Sequence, residues 1–343
     1  MKALVLTEYN HLEYRDVDDP AVGPGDVLVQ VKACGICGSD VHGMDGSTGR
    51  RRPPIIMGHE AAGVIARVGA DVSGWQVGDR VTFDSTVWCG ACWFCRRGRI
   101  NLCENRRVLG VSCEEYRRDG TFAEYVAVPQ HILYRLPEPV AFETAAMVEP
   151  LSVAVHAVRR SGIDLADTAV VVGTGVIGLL LIEALRAAGC GEIIAADLSA
   201  SRLLLAEELG ADVTLRADEA DVPAEVLKHT DGRGADVALE AVGLPRTFRL
   251  AAACVRKGGV LTLVGNVSPT AELALQAVVT REVTLHGSCA SCGEYPACLD
   301  MIARGMLDPD PLISAAAPLA QGAEWFRRLY DGQEKLIKVI LKP

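Results

Sequence analysis

The sequence predicts an α/β protein of two domains, one rich in β-strands and one built around a doubly wound parallel sheet. Its 343 residues are too many for a single ordinary core. Up to about Glu149, short apolar runs alternate with turns that contain glycine or proline. After Pro150, strand-like runs alternate with helix-like stretches, a pattern typical of parallel strands joined by right-handed crossovers.

The elements of the first half are short apolar runs at 27–31, 62–68 and 80–83, separated by turn sequences. They predict an all-β unit such as a barrel. The predicted strands of the second half are 169–172, 192–197, 235–239, 260–264 and 283–285. The predicted helices are 153–161, 176–188 and 201–209. From about Ser288 the alternation stops, and a short α/β tail follows.

The charge and the apolar runs exclude several classes of partner. A formal charge of -10 argues against binding to a nucleic acid, which depends on clustered basic residues. The apolar run at the N-terminus is too short for a signal peptide, and the run 176–182 is too short to cross a membrane. We therefore expect a cytoplasmic protein with no membrane segment and a small-molecule substrate.

A glycine-rich turn follows the predicted strand 169–172 and opens a predicted helix. It consists of Gly173, Thr174, Gly175, Val176, Ile177 and Gly178. Its first glycine allows a tight turn, the second lets the backbone approach a pyrophosphate, and the third allows close packing of helix on strand. The N–H groups at the start of the helix then face the phosphates. This spacing in this context predicts a dinucleotide site.

An acidic residue in the next strand predicts which dinucleotide binds. Asp197 ends the strand 192–197, nineteen residues after Gly178. A carboxylate there accepts hydrogen bonds from the adenosine ribose and repels a 2′-phosphate, which favours NAD over NADP. Arg202 lies nearby and would weaken that preference. Val242 and Val264 are further candidates for cofactor contact.

Four cysteines fall within fifteen positions, at Cys89, Cys92, Cys95 and Cys103. Without a secretory signal, clustered cysteines indicate metal ligands rather than disulfides. Their spacing can form a tetrahedral thiolate zinc site with no open position. We therefore predict a structural zinc in this segment.

A second set of possible metal ligands is scattered along the chain. Cys37, His59, Glu60 and Glu149 supply one thiolate, one imidazole and one or two carboxylates. Such a set leaves a coordination position for water or a substrate oxygen, as catalytic zinc sites do. Taken singly, each residue is also compatible with a purely structural role.

Several motifs together resemble the zinc-containing medium-chain dehydrogenase/reductase family, especially its polyol branch of the sorbitol or L-iditol type. They are the nine residues 34–42, Gly-His-Glu at 58–60, Glu-Pro-Leu-Ser-Val at 149–153, the four cysteines and the glycine-rich turn. The resemblance implies a GroES-like β-barrel catalytic domain at 1–152 and 288–343, with a structural zinc lobe at about 87–104. It implies a Rossmann domain for NAD at 153–287.

The resemblance also implies a division of labour among the site residues. Cys37 and His59 would hold the catalytic zinc together with either Glu60 or Glu149, which exchange as direct and water-mediated ligands. Asp40 would orient His59 from behind the metal.

Proton transfer is assigned by the same resemblance. Ser39 would accept the proton of the substrate hydroxyl, and His42 would pass it outward through the cofactor ribose. The predicted activity is therefore NAD-dependent oxidation of a secondary alcohol, with two zinc ions per chain and a polyol as substrate.

Two departures from the sorbitol type leave the substrate open. The stretch 287–293 lacks the usual Arg-Tyr pair, and Gly43 follows His42 where the family often has tyrosine. The segment 111–121 looks long, and its polar residues are expected to line the substrate cleft. A diol or L-threonine dehydrogenase is the nearest alternative, and a catalytically silent zinc- and NAD-binding scaffold is a remote one. The resemblance also implies a homodimer or homotetramer, in which the strand 283–285 pairs with that of a second chain.

Overall fold

The computed structural model describes residues 1–113, 116–332 and 335–343. Its contacts divide the chain into two compact units. The first unit consists of Met1–Glu149 and Tyr295–Pro343, and the second of Pro150–Glu294. Glu114 and Glu115, which belong to the segment expected to line the cleft, lie outside the described residues.

The regular elements follow in chain order. The strands are β1 (Lys2–Glu8), β2 (His11–Asp16), β3 (Asp26–Gly35), β4 (Ile55–Ile56), β5 (Glu60–Val68), β6 (Arg80–Phe83), β7 (Thr86–Val87), β8 (Arg107–Val108), β9 (Val111–Cys113), β10 (Tyr116–Arg118), β11 (Tyr125–Pro129), β12 (Leu133–Arg135), β13 (Thr168–Val172), β14 (Glu192–Asp197), β15 (Val213–Arg216), β16 (Ala235–Glu240), β17 (Val255–Leu263), β18 (Thr284–Gly287), β19 (Ile313–Pro318) and β20 (Lys338–Lys342). The helices are α1 (Gly38–Met44), α2 (Phe142–Ala146), α3 (Val148–Ser161), α4 (Val176–Ala187), α5 (Ala200–Glu208), α6 (Val222–His229), α7 (Pro245–Cys254), α8 (Leu275–Arg281), α9 (Tyr295–Ala303) and α10 (Gly322–Asp331).

The first unit is built on a large sheet with the order β12-β6-β5-β3-β20-β19, in which β11 also pairs with β3. In β3, buried and half-buried positions alternate, as expected for a strand that turns one face to the core. Strands β19 and β20 pair in parallel, and α10 lies between them in sequence. The all-β prediction for residues up to about Glu149 was incomplete, because α1 and α2 also belong to this part of the chain; α9 and α10 lie in the tail that was predicted as α/β.

The second unit confirms the predicted doubly wound sheet. Its strands lie in the order β15-β14-β13-β16-β17-β18, and each neighbouring pair is parallel. The order reverses at β13, so the loop after this strand lies at the switch point where such sheets bind dinucleotides. Strand β13 is buried along Ala169–Val172, consistent with helices on both faces of the sheet.

The end of the second unit lies later in the chain than the boundary proposed at residue 288. Residues 288–294 remain with this unit because Glu294 contacts α3. Its Oε1 lies 3.0 Å from His156 Nδ1 and accepts a hydrogen bond of 3.2 Å from Arg159. A loop without strand or helix periodicity carries no sequence signal for such contacts.

Helix α3 begins at Val148, not at residue 153 as predicted. Pro150 suggested a break at this point, but it lies in the first turn of the helix. Proline is tolerated there because the N–H that it lacks would have no partner within the helix. None of the helices in the described part of the chain is long and apolar enough to cross a membrane.

Candidate active site

Antiparallel pairing of β3 with β5 brings the first predicted ligands together. Gly35, at the end of β3, lies opposite Glu60, at the start of β5. Two residues after Gly35, Cys37 caps the N-terminus of α1, and its side chain accepts a hydrogen bond from the N–H of Ser39. The turn that carries Cys37 therefore lies beside His59 and Glu60.

The ligand atoms of Cys37, His59 and Glu60 all lie within 4.8 Å of one another. A thiol sulfur, an imidazole nitrogen and a carboxylate oxygen are donors that zinc takes in catalytic sites, where one position stays open. The donor chemistry of this cluster therefore fits a zinc ion. Glu149 is not in the cluster; its Oε1 accepts a hydrogen bond of 3.0 Å from Ser85 Oγ, and burial raises the pKa of its carboxyl group.

Asp40, in α1, is fully buried beside the ring of His59. Its Oδ2 is 3.4 Å from His59 Nδ1. Its Oδ1 accepts hydrogen bonds from Arg51, of 2.8 Å from Nη2 and 3.3 Å from Nε. Burial opposes ionisation of Asp40, but the charges of His59 and Arg51 lower the pKa of its carboxyl well below the ordinary value. Asp40 is therefore a carboxylate that can hold the His59 ring.

A buried lysine holds the carboxylate of Glu60. Lys338 Nζ donates to Glu60 Oε2 at 2.6 Å, to Glu60 Oε1 at 2.9 Å and to the Ile36 carbonyl at 3.2 Å. Burial disfavours the lysine charge, but Glu60 and Cys37 raise the pKa of Lys338 above its ordinary value. The C-terminal strand β20 delivers this residue, because its Ile340 pairs with Gly35 of β3.

The two residues of the predicted proton path differ in their surroundings. Ser39 Oγ donates to Cys37 Sγ at 3.3 Å and accepts from Arg51 Nη2 at 3.3 Å. His42 lies one turn later in α1 and is exposed. Among the described residues, no hydrogen bond joins Ser39 to His42, so a proton passing between them needs a bridging group.

The second cluster consists of Cys89, Cys92, Cys95 and Cys103, whose sulfur atoms all lie within 4.8 Å of one another. The sulfurs of Cys92 and Cys103 are 4.0 Å apart, about twice the length of a disulfide bond. Hydrogen bonds from the Asn105 side chain and from backbone N–H groups lower the pKa of Cys89 to about 6. Four thiols in this arrangement fit the closed thiolate zinc site.

The glycine-rich turn has the shape expected of a phosphate cradle. Gly173 has φ +93°, and a Cβ there would lie 2.3 Å from Val242. A Cβ on Gly178 would lie 1.8 Å from the Gly173 carbonyl oxygen, whereas one on Gly175 would meet nothing within 4 Å. Gly175 therefore borders open space at the N-terminus of α4, where free N–H groups attract anions. A dinucleotide phosphate fits this space.

This difference between two glycines gives a direct prediction. Gly175→Ala should leave the unfolding temperature near that of wild type and raise the Kd for NAD at least tenfold, because the new methyl group occupies the cradle. Gly178→Ala should instead lower the unfolding temperature, because its methyl group collides with backbone. Calorimetry with and without NAD separates the two effects, and equal behaviour of the two variants would contradict this account.

Asp197 ends β14 beside that turn. Its Oδ2 accepts from Thr174 N at 2.6 Å, and its Oδ1 accepts from Ser199 N at 2.8 Å. These bonds hold the carboxylate in place and leave lone pairs on both oxygens for a ligand. Of the other predicted cofactor contacts, Val176, Ile177, Val242 and Val264 are half-buried, and Arg202 is exposed in the first turn of α5.

Comparison with known proteins decides the family. Residues 23–138 match the model of the alcohol dehydrogenase GroES-like domain, and residues 176–304 match that of the zinc-binding dehydrogenases. The sorbitol dehydrogenase of Bacillus subtilis is 34% identical over 348 aligned positions, which cover 100% of this chain and 97% of that protein. The chain belongs to the zinc-containing medium-chain dehydrogenase/reductase family. Within this family it falls in the polyol dehydrogenase branch, as the sequence motifs predicted.

Solved structures agree with this assignment. The 2R,3R-butanediol dehydrogenase of Bacillus subtilis superposes with a TM-score of 0.90 at 34% identity, covering 100% of this chain and 99% of that one. A structure from Sinorhizobium meliloti 1021 bound to NADP superposes with a TM-score of 0.92 at 32% identity and the same coverage. The GroES-like and Rossmann architecture is confirmed. The protein is a zinc-dependent alcohol dehydrogenase that uses a nicotinamide dinucleotide.

Sequence reasoning missed three residues at this site. Lys338, Arg51 and Ser85 contact Glu60, Asp40 and Glu149. None of the three belongs to a recognisable motif. A lysine inside the apolar run 337–341 was the one available signal, since a buried lysine needs an acidic partner.

Proposed function

We propose that this enzyme oxidises a secondary hydroxyl group of a polyol and transfers the hydride to NAD. The observation that carries this proposal is the cluster of Cys37, His59 and Glu60, with three different ligand atoms within 4.8 Å. Bound there, zinc supplies the Lewis acidity that makes an alcohol hydroxyl easier to deprotonate. We assign Cys37, His59 and Glu60 as its protein ligands, and Glu149 as the carboxylate that exchanges with Glu60.

The other residues of the site take supporting roles in this proposal. Asp40 holds the ring of His59, as carboxylates commonly do behind metal-bound histidines. Ser39 accepts the proton of the substrate hydroxyl, and His42, exposed at the end of α1, releases it to solvent. Because no hydrogen bond joins Ser39 to His42 among the described residues, we propose that the ribose of the bound cofactor bridges them. The four-cysteine lobe holds a second zinc ion that stabilises the fold and takes no part in the reaction.

The preference for NAD over NADP rests on Asp197. Its carboxylate ends β14 and is held by two backbone N–H groups. We expect Asp197→Asn to lower the ratio of kcat/KM for NAD to that for NADP at least tenfold, because the repulsion of a 2′-phosphate disappears. Asparagine keeps one acceptor oxygen, so the turn should remain folded. An unchanged ratio would remove Asp197 from the ribose site; Asp212→Asn, at the residue before β15, is the matched control.

The relatives and the sequence together narrow the candidate substrates. Similarity to the sorbitol dehydrogenase of Bacillus subtilis supports a polyol as substrate, and similarity to the butanediol dehydrogenase supports a diol as the second candidate. The stretch 287–293 contains no arginine or tyrosine to hold distal hydroxyl groups. Sorbitol itself is therefore a weaker candidate than another polyol, a cyclic polyol or a sugar phosphate, and L-threonine remains an alternative.

A substrate panel tests the proposed function. The enzyme is incubated with NAD and one compound of each class, and NADH formation is followed with and without a zinc chelator. We expect turnover of one polyol class that the chelator abolishes. Turnover confined to diols or L-threonine would favour the alternative enzymes. One zinc ion per chain with no turnover of any compound would favour the silent scaffold.

The oligomeric state and the cytoplasmic location stay predictions. Strand β18 lies at the edge of the six-stranded sheet, and none of its residues is fully buried. An edge strand of this kind is open to pairing with a second copy. We propose a homodimer or homotetramer formed through β18, and a monomeric mass by light scattering would contradict this.

A further inference from the structure

Arg51 is a buried cation that no part of the proposed mechanism uses. It lies in the loop between α1 and β4, and only 3% of its surface is exposed. Its neighbours Arg50 and Arg52 are both exposed. A buried guanidinium needs partners that offset its lost hydration. The side chains that contact Arg51 are two residues of the site, Asp40 and Ser39, and the Arg50 carbonyl accepts a longer hydrogen bond of 3.5 Å from Nη1.

Two guanidinium nitrogens of Arg51 contact the residues of the site. Nη2 donates to Asp40 Oδ1 at 2.8 Å and to Ser39 Oγ at 3.3 Å, while Nε makes a second bond of 3.3 Å to Asp40 Oδ1. The same Asp40 carboxylate lies 3.4 Å from the ring of His59 through its other oxygen. One planar group thus contacts both the carboxylate behind the metal ligand and the proton acceptor.

The direction of the Ser39 bond matters for its proposed task. Ser39 accepts from Arg51 and donates to Cys37 Sγ at 3.3 Å. Accepting a bond from a fixed guanidinium restricts how the serine hydroxyl can rotate, because the fork of arginine is rigid. A lysine in this place has a single nitrogen on a flexible stem, so it can replace the charge but not the geometry.

Space for this arrangement depends on Gly43. A Cβ at position 43 would lie 2.4 Å from Cγ of Arg51, so the arginine stem fills the space that a side chain would take. Gly43 has no positive φ and lies inside α1, so alanine is compatible with its backbone. A larger residue here would push Arg51 away from Asp40 and Ser39.

We propose that Arg51 is a positioning residue that holds both a zinc ligand and the proton acceptor of the active site in place. Through Asp40 it orients the zinc ligand His59, and through its second contact it orients the hydroxyl of Ser39. The effect on Ser39 rests on the proposed function, in which Ser39 accepts the substrate proton. The part that concerns His59 is independent of the substrate, because it is measured as affinity for zinc.

The test uses Arg51→Met and Arg51→Lys, with Arg50→Met and Arg52→Met as matched controls on the same loop. Zinc affinity is measured by competition with a chelator, and the four-cysteine site serves as the internal reference. Arg51→Met should weaken zinc binding at the site of Cys37, His59 and Glu60 by about 10- to 100-fold, while the four-cysteine site keeps its affinity. This is the range found for residues that hold metal ligands in place. Arg51→Lys should keep zinc affinity within about threefold of wild type and lower kcat about tenfold with little change in KM.

Gly43→Ala moves Arg51 without removing its charge. We expect it to lower kcat about as much as Arg51→Lys does, while both exposed-arginine controls keep wild-type kcat and zinc affinity.

Two results would overturn the proposal. One is a folded Arg51→Met variant with unchanged zinc affinity and kcat. The other is an Arg51→Lys variant that keeps the charge but does not fold, which would make Arg51 a structural residue. If Arg51→Met alone fails to fold, Arg51→Lys and Gly43→Ala decide. Should wild type turn over no substrate of the panel, the proposed function fails, and the zinc measurement still tests the link to His59.

Discussion

Replacing Cys37 with alanine should lower turnover more than a hundredfold and reduce the zinc content from two ions per chain to one. Cys37 is the only thiol of the cluster that it forms with His59 and Glu60. Losing a partner behind a metal ligand already costs about 10- to 100-fold in affinity or activity, and losing the ligand itself costs more. The fold and NAD binding should survive, because the side chain is half-exposed at a helix N-cap. Metal analysis and NADH formation measure both effects.

The matched control is Cys34→Ala. Cys34 is fully buried in β3, and its thiol contacts Thr121 Oγ1 at 2.9 Å and belongs to neither metal cluster of the described residues. The Cys34→Ala variant should therefore keep both zinc ions and most of the wild-type turnover. If Cys37→Ala instead unfolds or keeps two zinc ions, Cys37 is a structural residue and not a ligand.

Replacing Lys338 with methionine should destabilise the first unit by about 3–5 kcal/mol, the cost of breaking a buried ion pair by removing one partner. Both oxygens of Glu60 accept hydrogen bonds from Lys338, and the exposed fraction is 2% for the Lys338 side chain and 1% for that of Glu60. The variant leaves the Glu60 carboxyl group without its lysine partner in a region with little water. All four tryptophans, at 75, 88, 93 and 325, lie in the first unit, so their fluorescence during urea unfolding reports this loss.

The design includes an exposed lysine and a compensating change. Lys342 lies in the same strand as Lys338, is half-exposed and forms an ion pair with Glu143 of α2. Lys342→Met removes this exposed pair and should cost at most about 1 kcal/mol. Adding Glu60→Gln to Lys338→Met should restore part of the stability, because no unpaired charge remains. Unfolding is measured with a chelator present, so that zinc does not offset the lost charge. Equal effects of Lys338→Met and Lys342→Met would contradict the buried pair.

The parts of the molecule that could be predicted are those that local sequence determines. The glycine turn, the strand before it and Asp197 at the end of the next strand follow one another within a single βαβ unit, so spacing alone predicts their contact. The four cysteines likewise belong to one short loop. Cys37 belongs to one short motif and His59 and Glu60 to another, and the two motifs lie at the ends of the paired strands β3 and β5.

The parts that could not be predicted depend on contacts between distant segments. Glu60 and Lys338 are 278 residues apart and meet only because β20 returns to pair with β3. Arg51 is the middle one of three consecutive arginines, and nothing in that run shows which of the three is buried. Glu149 and Glu60 were equivalent in sequence, and the register of β3 with β5 brings only Glu60 into the cluster.

Zinc titration of the metal-free enzyme tests the central claim most directly. After the chelator is removed, zinc is returned in steps to wild type and to Cys37→Ala, and NADH formation is measured with the best substrate of the panel. We predict that wild-type turnover is absent without metal and rises as a second zinc ion binds, while Cys37→Ala takes up one ion and stays inactive. Full turnover by the metal-free enzyme, or full recovery by Cys37→Ala, would contradict a catalytic zinc at Cys37, His59 and Glu60.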